Sequence, residues 1–249
     1  MKKNLLFIGH RGTRIDYDEN TLKSFEVAIK SGAHYIEFDV RRLNDGNLLV
    51  FHDAFIDKTI VGSVYLKDLT YTELKNYKTK FKIRTAEIPL LTEVLDKLAK
   101  RTKFMIELKE EEIKNDVINM VIKKGLLKDC VICGRNYELL RIIKKEFPKC
   151  QVCYNITKGK GLNLKEFIEL GNQKNLHFIP DMICLKSNLI KANFIDICHE
   201  NGIKALAWDF IKYANSVKMI KDLIKLQIDG ILFDDHKNIK IIKQWLERT

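Results

Sequence analysis

Two histidines and two carboxylates stand close together near the start of the chain. The run from His10 to Asp53 reads His10-Arg11-Gly12, then Asp18-Glu19-Asn20-Thr21, then Glu37-Phe38-Asp39-Val40, then Phe51-His52-Asp53. Glu37 and Asp39 belong to the strand-like segment Tyr35-Ile36-Glu37-Phe38-Asp39-Val40, where a period of two puts both carboxylates on one face. Side by side on a sheet face they repel and each loses hydration, so an apolar core does not select them. A divalent cation removes both costs. Oxygen ligands of this kind suit Mg²⁺, Mn²⁺ or Ca²⁺ rather than Zn²⁺. The plainer reading, charges paired at the rim of a sheet, is weakened because a histidine closes the apolar run on either side.

The elements that must position these groups alternate from end to end. Short apolar runs near 4–9, 35–40, 103–108, 130–133, 151–155, 178–185, 204–208 and 229–233 read as strands. Amphipathic segments near 21–31, 91–100, 113–123, 137–146, 164–174, 190–201, 215–226 and 238–247 read as helices. Eight βα pairs around a parallel sheet predict a closed (β/α)₈ barrel. A length of 249 residues suits one such domain, spanning 1–249. After Val40 the turn Asn44-Asp45-Gly46 signals a hairpin returning through Leu48-Leu49-Val50-Phe51. Residues 53–88 form a polar, helix-poor stretch without a strong strand, too long for an ordinary connection and read as a small insertion after the second strand. In barrels of this kind the chemistry stands at the C-terminal ends of strands. His10, Glu37, Asp39, Glu107 and Lys109 all fall at or just past such ends.

His10-Arg11-Gly12, Glu19-Asn20-Thr21, Glu37-Phe38-Asp39-Val40 and His52-Asp53, in that order, resemble the glycerophosphodiester phosphodiesterase family. The resemblance continues through Ile88-Pro89-Leu90-Leu91, Ile106-Glu107-Leu108-Lys109, Trp208 and Asp229-Gly230-Ile231. It implies a TIM barrel and hydrolysis of glycerophosphodiesters to an alcohol and sn-glycerol 3-phosphate. It further implies that Glu37, Asp39 and Glu107 hold one divalent metal ion (Mg or Ca, with Mn possible), that Glu19 helps organise the site, and that Trp208 lines the substrate pocket. Hydrolysing a phosphodiester requires charge neutralisation on the phosphoryl oxygens, a base and an acid. The metal meets the first need, with Arg11 and Lys109 as further cationic partners. Histidine meets the other two because its pKa lies near neutrality, and the resemblance assigns that division to His10 and His52. Asp18 stands where relatives usually have Pro, Gly134-Arg135 replaces a frequent Ser-Phe, and Asp209-Phe210 departs from Thr-Val-Asn.

Composition narrows the alternatives. The net charge of +11 invites a nucleic-acid reading, but the lysines are spread along helical stretches and do not interleave with aromatics. A solvated basic surface, able to attract anionic phosphodiesters, is the expectation; no nucleic-acid partner is. No apolar run reaches the roughly 18 residues that cross a bilayer. The first residues read as a strand and not as a secretory leader, so the expected compartment is the cytoplasm. Cys130-x₂-Cys133 and Cys150-x₂-Cys153 have zinc-site spacing, yet in strands residues i and i+3 point to opposite faces. These thiols, with Cys184 and Cys198, are therefore expected to be buried and reduced. Two rival functions remain on the same barrel. One is a lysophospholipase D-type activity, favoured if Phe51, Phe55 and Ile56 line an apolar groove. The other is a non-catalytic polyanion binder, which would need neither histidine nor the three carboxylates.

Overall fold

Alternation along each strand decides which residues face the helices and which face the barrel axis. A computed structural model of the chain describes residues 5–58, 62–75 and 87–248. Eleven strands are described: β1 (Leu6–His10), β2 (Tyr35–Arg42), β3 (Leu48–Val50), β4 (Phe55–Lys58), β5 (Gly62–Tyr65), β6 (Lys103–Leu108), β7 (Cys130–Gly134), β8 (Gln151–Asn155), β9 (Met182–Lys186), β10 (Lys204–Trp208) and β11 (Gly230–Phe233). The helices are α1 (Leu22–Lys30), α2 (Tyr71–Leu74), α3 (Leu91–Leu98), α4 (Lys114–Lys123), α5 (Tyr137–Glu146), α6 (Leu164–Asn172), α7 (Ala192–Glu200), α8 (Ser216–Lys225) and α9 (His236–Glu247). Parallel pairing runs β1-β11-β10-β9-β8-β7-β6-β2, and β2 pairs again with β1, so eight strands close into a barrel. This is the (β/α)₈ fold that the alternation predicts.

Two apolar layers follow from the period of two. Ile36, Phe38 and Val40 of β2 and Phe104, Ile106 and Leu108 of β6 point outward and pack with the helices. Phe38 touches both Phe25 of α1 and Phe104, with ring centroids 5.7 and 5.9 Å apart. Full burial of each such ring contributes about 1.5–3 kcal/mol. The other faces fill the barrel with Ile8, Met105, Val131, Cys133, Cys153, Met182, Cys184, Leu206 and Leu232. Cys130 lies in the outer layer and Cys133 in the inner one, so that pair splits across the sheet; Cys150 and Cys153 split the same way.

Two expectations change in detail and a third holds. The sixth barrel strand begins at Met182, not near 178, because Pro180 has no N–H to donate and the Phe178 carbonyl accepts the Tyr137 hydroxyl. The hairpin after Val40 is present: β3 runs antiparallel to the end of β2, with Gly46 at φ +82° in the turn. Of the stretch expected to lack a strand, β4 and β5 pair antiparallel as a ribbon, and Thr70 caps the short α2. Residues 59–61 and 76–86 of that stretch lie outside the described residues. The insertion ends where Leu49 bridges Leu90 and the Val50 N–H bonds the Pro89 carbonyl.

Candidate active site

The same alternation that buries Ile8 and Met105 in the barrel carries polar residues onto its inner face one step higher. His10 is two beyond Ile8, Glu37 and Asp39 follow Tyr35, and Glu107 is two beyond Met105. Strand register then sets neighbours: His10 is level with Glu37, and Asp39 with Glu107. The result is one buried carboxylate group at the C-terminal mouth. One oxygen from each of Glu37, Asp39 and Glu107 lies within 4.8 Å of the others.

The turn after β1 explains the His10-Arg11-Gly12 motif. Arg11 takes φ +51°, which aims its backbone N–H at Glu37 Oε2, 2.9 Å away. Gly12 follows at φ +78°, and a Cβ there would stand 2.6 Å from Ser24 of α1, so only glycine fits. The Arg11 side chain pairs ionically with Asp39, Nε lying 3.0 Å from Oδ2, and its Nη1–H donates to Glu19. Each residue of Glu19-Asn20-Thr21 has a separate task. Glu19 accepts from both Arg11 and Arg14. Asn20 Nδ2 donates to Asp39 Oδ2 at 2.9 Å. Thr21, of the two cap candidates, is the one that caps α1, by accepting from the Ser24 N–H.

Lys109, just past β6, donates to Glu107 Oε1 at 2.6 Å and lies 2.8 Å from Asp39 Oδ1. That second contact is an ion pair with poor hydrogen-bond alignment, since Asp39 Oδ1 is otherwise buried without a hydrogen bond. Burial raises the Asp39 carboxyl, but Arg11 and then Lys109 outweigh it and hold the group well below the carboxylate range. Glu37 moves the other way. Its neighbours are the Arg11 amide and, at 3.9 Å, His10 Nε2, and no Lys or Arg side chain pairs with it among the described residues. Burial first, and the negative Asp39 second, push its pKa up. An all-oxygen cluster with one carboxylate short of positive charge fits a hard divalent cation.

Each histidine leans on a carboxylate. His10 Nδ1 is 2.8 Å from Asp234 Oδ1, at the end of β11, and His52 Nδ1 is 2.7 Å from Asp53 Oδ1. Asp234 also accepts from Arg14 and from the Phe210 N–H. Burial disfavours its charge, yet His10 and Arg14 bring its pKa down to about 2, so it is ionised. An ionised partner fixes the proton on Nδ1 and leaves His10 Nε2 toward the cavity. Burial lowers the His10 pKa, but the adjacent Asp234 reverses this and the net shift is upward. His52 shifts downward, by burial and by the nearby Arg11 and Lys109 against the pull of Asp39. Both histidines stand at the same end of the barrel.

Trp208 packs edge-on against His10, with ring centroids 6.0 Å apart, and its Nε1–H donates to Thr157 Oγ1 at 3.0 Å. The cavity is lined by His10, Glu37, Glu107, Arg135, Asn155 and Trp208 over an apolar floor. Among the described residues, the larger depression beside α8 on the outside of the barrel holds no such cluster of three carboxylates. His10, Arg11, Glu37, Asp39, His52, Glu107, Lys109 and Trp208, singled out by sequence, lie at this one end of the barrel. Asp234, Arg14 and Asn155 were missed. Asp234 and Asn155 each stand at the end of a barrel strand, a position that would have flagged them. Among the described residues, Phe51, Phe55 and Ile56 do not line one groove, the condition that would favour the lysophospholipase D rival. Ile56 turns into a small core with Leu43, Leu49 and Leu66, leaving Phe55 exposed opposite Tyr65.

Comparisons with known proteins point to one family and one fold. The chain is similar to a glycerophosphodiester phosphodiesterase of Caldanaerobacter subterraneus subsp. tengcongensis, at 28% identity over 94% of this chain and 96% of that one. A glycerophosphodiester phosphodiesterase from Thermotoga maritima superposes with a TM-score of 0.75 at 23% identity, covering 98% of this chain and 100% of that one. An Oleispira antarctica phosphodiesterase, solved in complex with the product sn-glycerol-3-phosphate, gives a TM-score of 0.76 at 20% identity, covering 98% and 97%. Residues 10–238 match the model of the glycerophosphoryl diester phosphodiesterase family, and the chain belongs to that family.

Proposed function

We propose that this protein hydrolyses glycerophosphodiesters to an alcohol and sn-glycerol 3-phosphate, with His10 and His52 as the acid–base pair. The observation that carries the reading is the register at the mouth, which sets His10 level with Glu37 and Asp39 level with Glu107. Glu37, Asp39 and Glu107 would hold one divalent cation, Mg²⁺ or Ca²⁺ with Mn²⁺ a further candidate; when bound it supplies Lewis-acid stabilisation of charge on phosphoryl oxygens. Arg11 and Lys109 add fixed positive charge beside the same oxygens. Asp234 keeps the His10 proton on Nδ1, and Asp53 does so for His52, so the two Nε2 atoms exchange protons with the nucleophile and the leaving alkoxide. Trp208 walls the substrate against His10. The product bound by the Oleispira antarctica relative is the one expected here.

On this reading residues 1–249 act as one domain on a small-molecule substrate, and nucleic acid is not a partner. No helix of the described residues is long and apolar enough to cross a membrane. Six unpaired, buried cysteines suit a reducing cytoplasm; recovery in an oxidising compartment with these thiols paired would contradict that placement. Among the described residues the inward turn of Ile56 weighs against the lysophospholipase D alternative.

The experiment is an assay of glycerol 3-phosphate release from several head-group diesters with Mg²⁺, Mn²⁺, Ca²⁺ or chelator. Release that depends on a divalent ion, with Glu37→Gln shifting the metal titration to higher concentration, is the expected result. Full activity in chelator, or an unchanged titration in Glu37→Gln, would overturn the metal assignment.

A further inference from the structure

Asn155 is the last residue of β8, two places beyond Cys153 and therefore on the inner face of the barrel. It lines the same cavity as His10, Glu37, Glu107 and Trp208. Its position suits the cap of the short helical turn Ile156–Lys158, yet its side chain caps nothing. Only 8% of the residue is exposed, and its Oδ1 is buried without a hydrogen-bond partner. Arg135, just past β7, has its Nε in the same condition, 3.6 Å from Glu107 Oε1. Gly134 and Tyr154 are register partners, so Arg135 and Asn155 follow them as neighbours around the mouth. Two unpaired buried polar atoms of opposite kind, lining the cavity that holds the acid–base group, call for a ligand.

We propose that Asn155 is a specificity residue whose Oδ1 accepts a hydrogen bond from a hydroxyl of the substrate's glycerol moiety. The inference rests on the glycerophosphodiester reading above and names what recognises the glycerol. The chemistry of the atom selects the ligand group. Phosphoryl oxygens of a diester carry no proton at neutral pH, so they cannot donate to an amide oxygen. A hydroxyl donates to Asn155 Oδ1 and has lone pairs left to accept from Arg135 Nε–H. Depth selects between the two alcohols of the diester. Asn155 stands one inward step above Cys153 and level with Cys184, a buried place better matched to the compact glycerol than to a head group of variable size, which requires the open rim. Because Oδ1 touches no solvent, a ligand reaches it by displacing a neighbour. The Arg135 side chain, 39% exposed and 3.6 Å from Glu107, is the neighbour whose displacement opens that path.

The test is calorimetric titration of the Mg²⁺-loaded protein with sn-glycerol 3-phosphate, O-phosphoethanolamine and inorganic phosphate, for wild type, Asn155→Leu and Asn155→Asp. Wild type should prefer glycerol 3-phosphate. Asn155→Leu should lose about tenfold in affinity for it, the worth of one hydrogen bond, with the other two ligands unchanged. Its Tm should not fall, because the variant removes an unpaired buried acceptor; a purely structural asparagine would show the reverse. Asn155→Asp, which still accepts, should keep the glycerol preference. Should Asn155→Leu not fold, Asn155→Ala carries the same expectation. A loss equal on all three ligands, no loss on glycerol 3-phosphate, or a loss confined to phosphoethanolamine would overturn the proposal. Wild type that prefers glycerol 3-phosphate without hydrolysing any diester would sink the hydrolase reading and leave this one standing. Wild type without that preference would sink this one alone.

Discussion

The mouth of the barrel has two unlike halves. Strands β1, β2, β6 and β11 contribute His10, Glu37, Asp39, Glu107 and Asp234, with Arg11, Arg14 and Lys109 shared among the carboxylates. Strands β7 to β10 contribute Cys133, Asn155, Cys184 and Trp208; of the ion pairs there, Lys186–Asp209 is closed on itself and Arg135–Glu107 reaches across to the first half. In the first half every charge has several partners, so removing one group leaves others buried and uncompensated. In the second half the contacts are mostly pairwise and neutral or self-cancelling. On the proposed function, the comparison assigns chemistry to the shared half and substrate fit to the pairwise half. Substitutions in the first should therefore strike turnover, and those in the second should strike binding.

The sharpest test compares the two histidines with the far wall. His10→Ala and His52→Ala should each lower kcat by about 10²- to 10⁴-fold with the fold intact by circular dichroism. Turnover left unchanged in either variant would remove that histidine from the chemistry. A smaller effect is expected at Asp234, which touches no substrate in this reading but orients His10. Asp234→Asn should cost about 10- to 100-fold in kcat, the range seen when an orienting partner is lost, with KM little changed. It should also alter stability against pH. The Asp234 pKa is depressed from 3.8 to about 2, so its stabilisation is present above pH 3.8 and disappears as pH falls through 2. That contribution is about 2 kcal/mol and should be missing from the variant at neutral pH. Acid titration of unfolding in both proteins reads the difference directly, and parallel curves would refute it.

The unlike halves were also unequally legible. Glu37 and Asp39 stand out because two carboxylates in an otherwise apolar strand break the rule that cores exclude charge, and the period of two aligns them. His10 and Glu107 inherit the same logic from strand ends. Asp234 escaped because it follows the apolar Gly-Ile-Leu-Phe of β11 at a point where an acidic residue also reads as the cap of α9, a task that Asp235 performs. Asn155 escaped because an asparagine after a strand is an ordinary turn residue; only its failure to cap, seen in three dimensions, sets it apart. The eight βα pairs were readable from periodicity alone, since strand and helix signals are long and repeated. The β4–β5 ribbon was not, because its four-residue strands carry little alternation and its stability comes from packing Ile56 and Leu66 into a local core.

The smallest effect should come from Thr157, which holds the pairwise half together. Its Oγ1 accepts from the Trp208 indole N–H at 3.0 Å and from the Lys186 backbone N–H at 2.9 Å. Thr157→Val keeps the shape and removes the acceptor, leaving two donors without it. The Lys186 amide is the costlier loss, because it is fixed in the strand, whereas the indole is partly exposed and can find water. A cost of about 1–2 kcal/mol in stability is expected. Trp208, free to tilt from its edge-on contact with His10, should then raise KM for a glycerophosphodiester a few-fold while kcat holds. The split between the two constants is the informative part. A fall in kcat comparable to that of Asp234→Asn would mean that Trp208 orients His10 as Asp234 does, and the division of the mouth into a chemical half and a fitting half would fail.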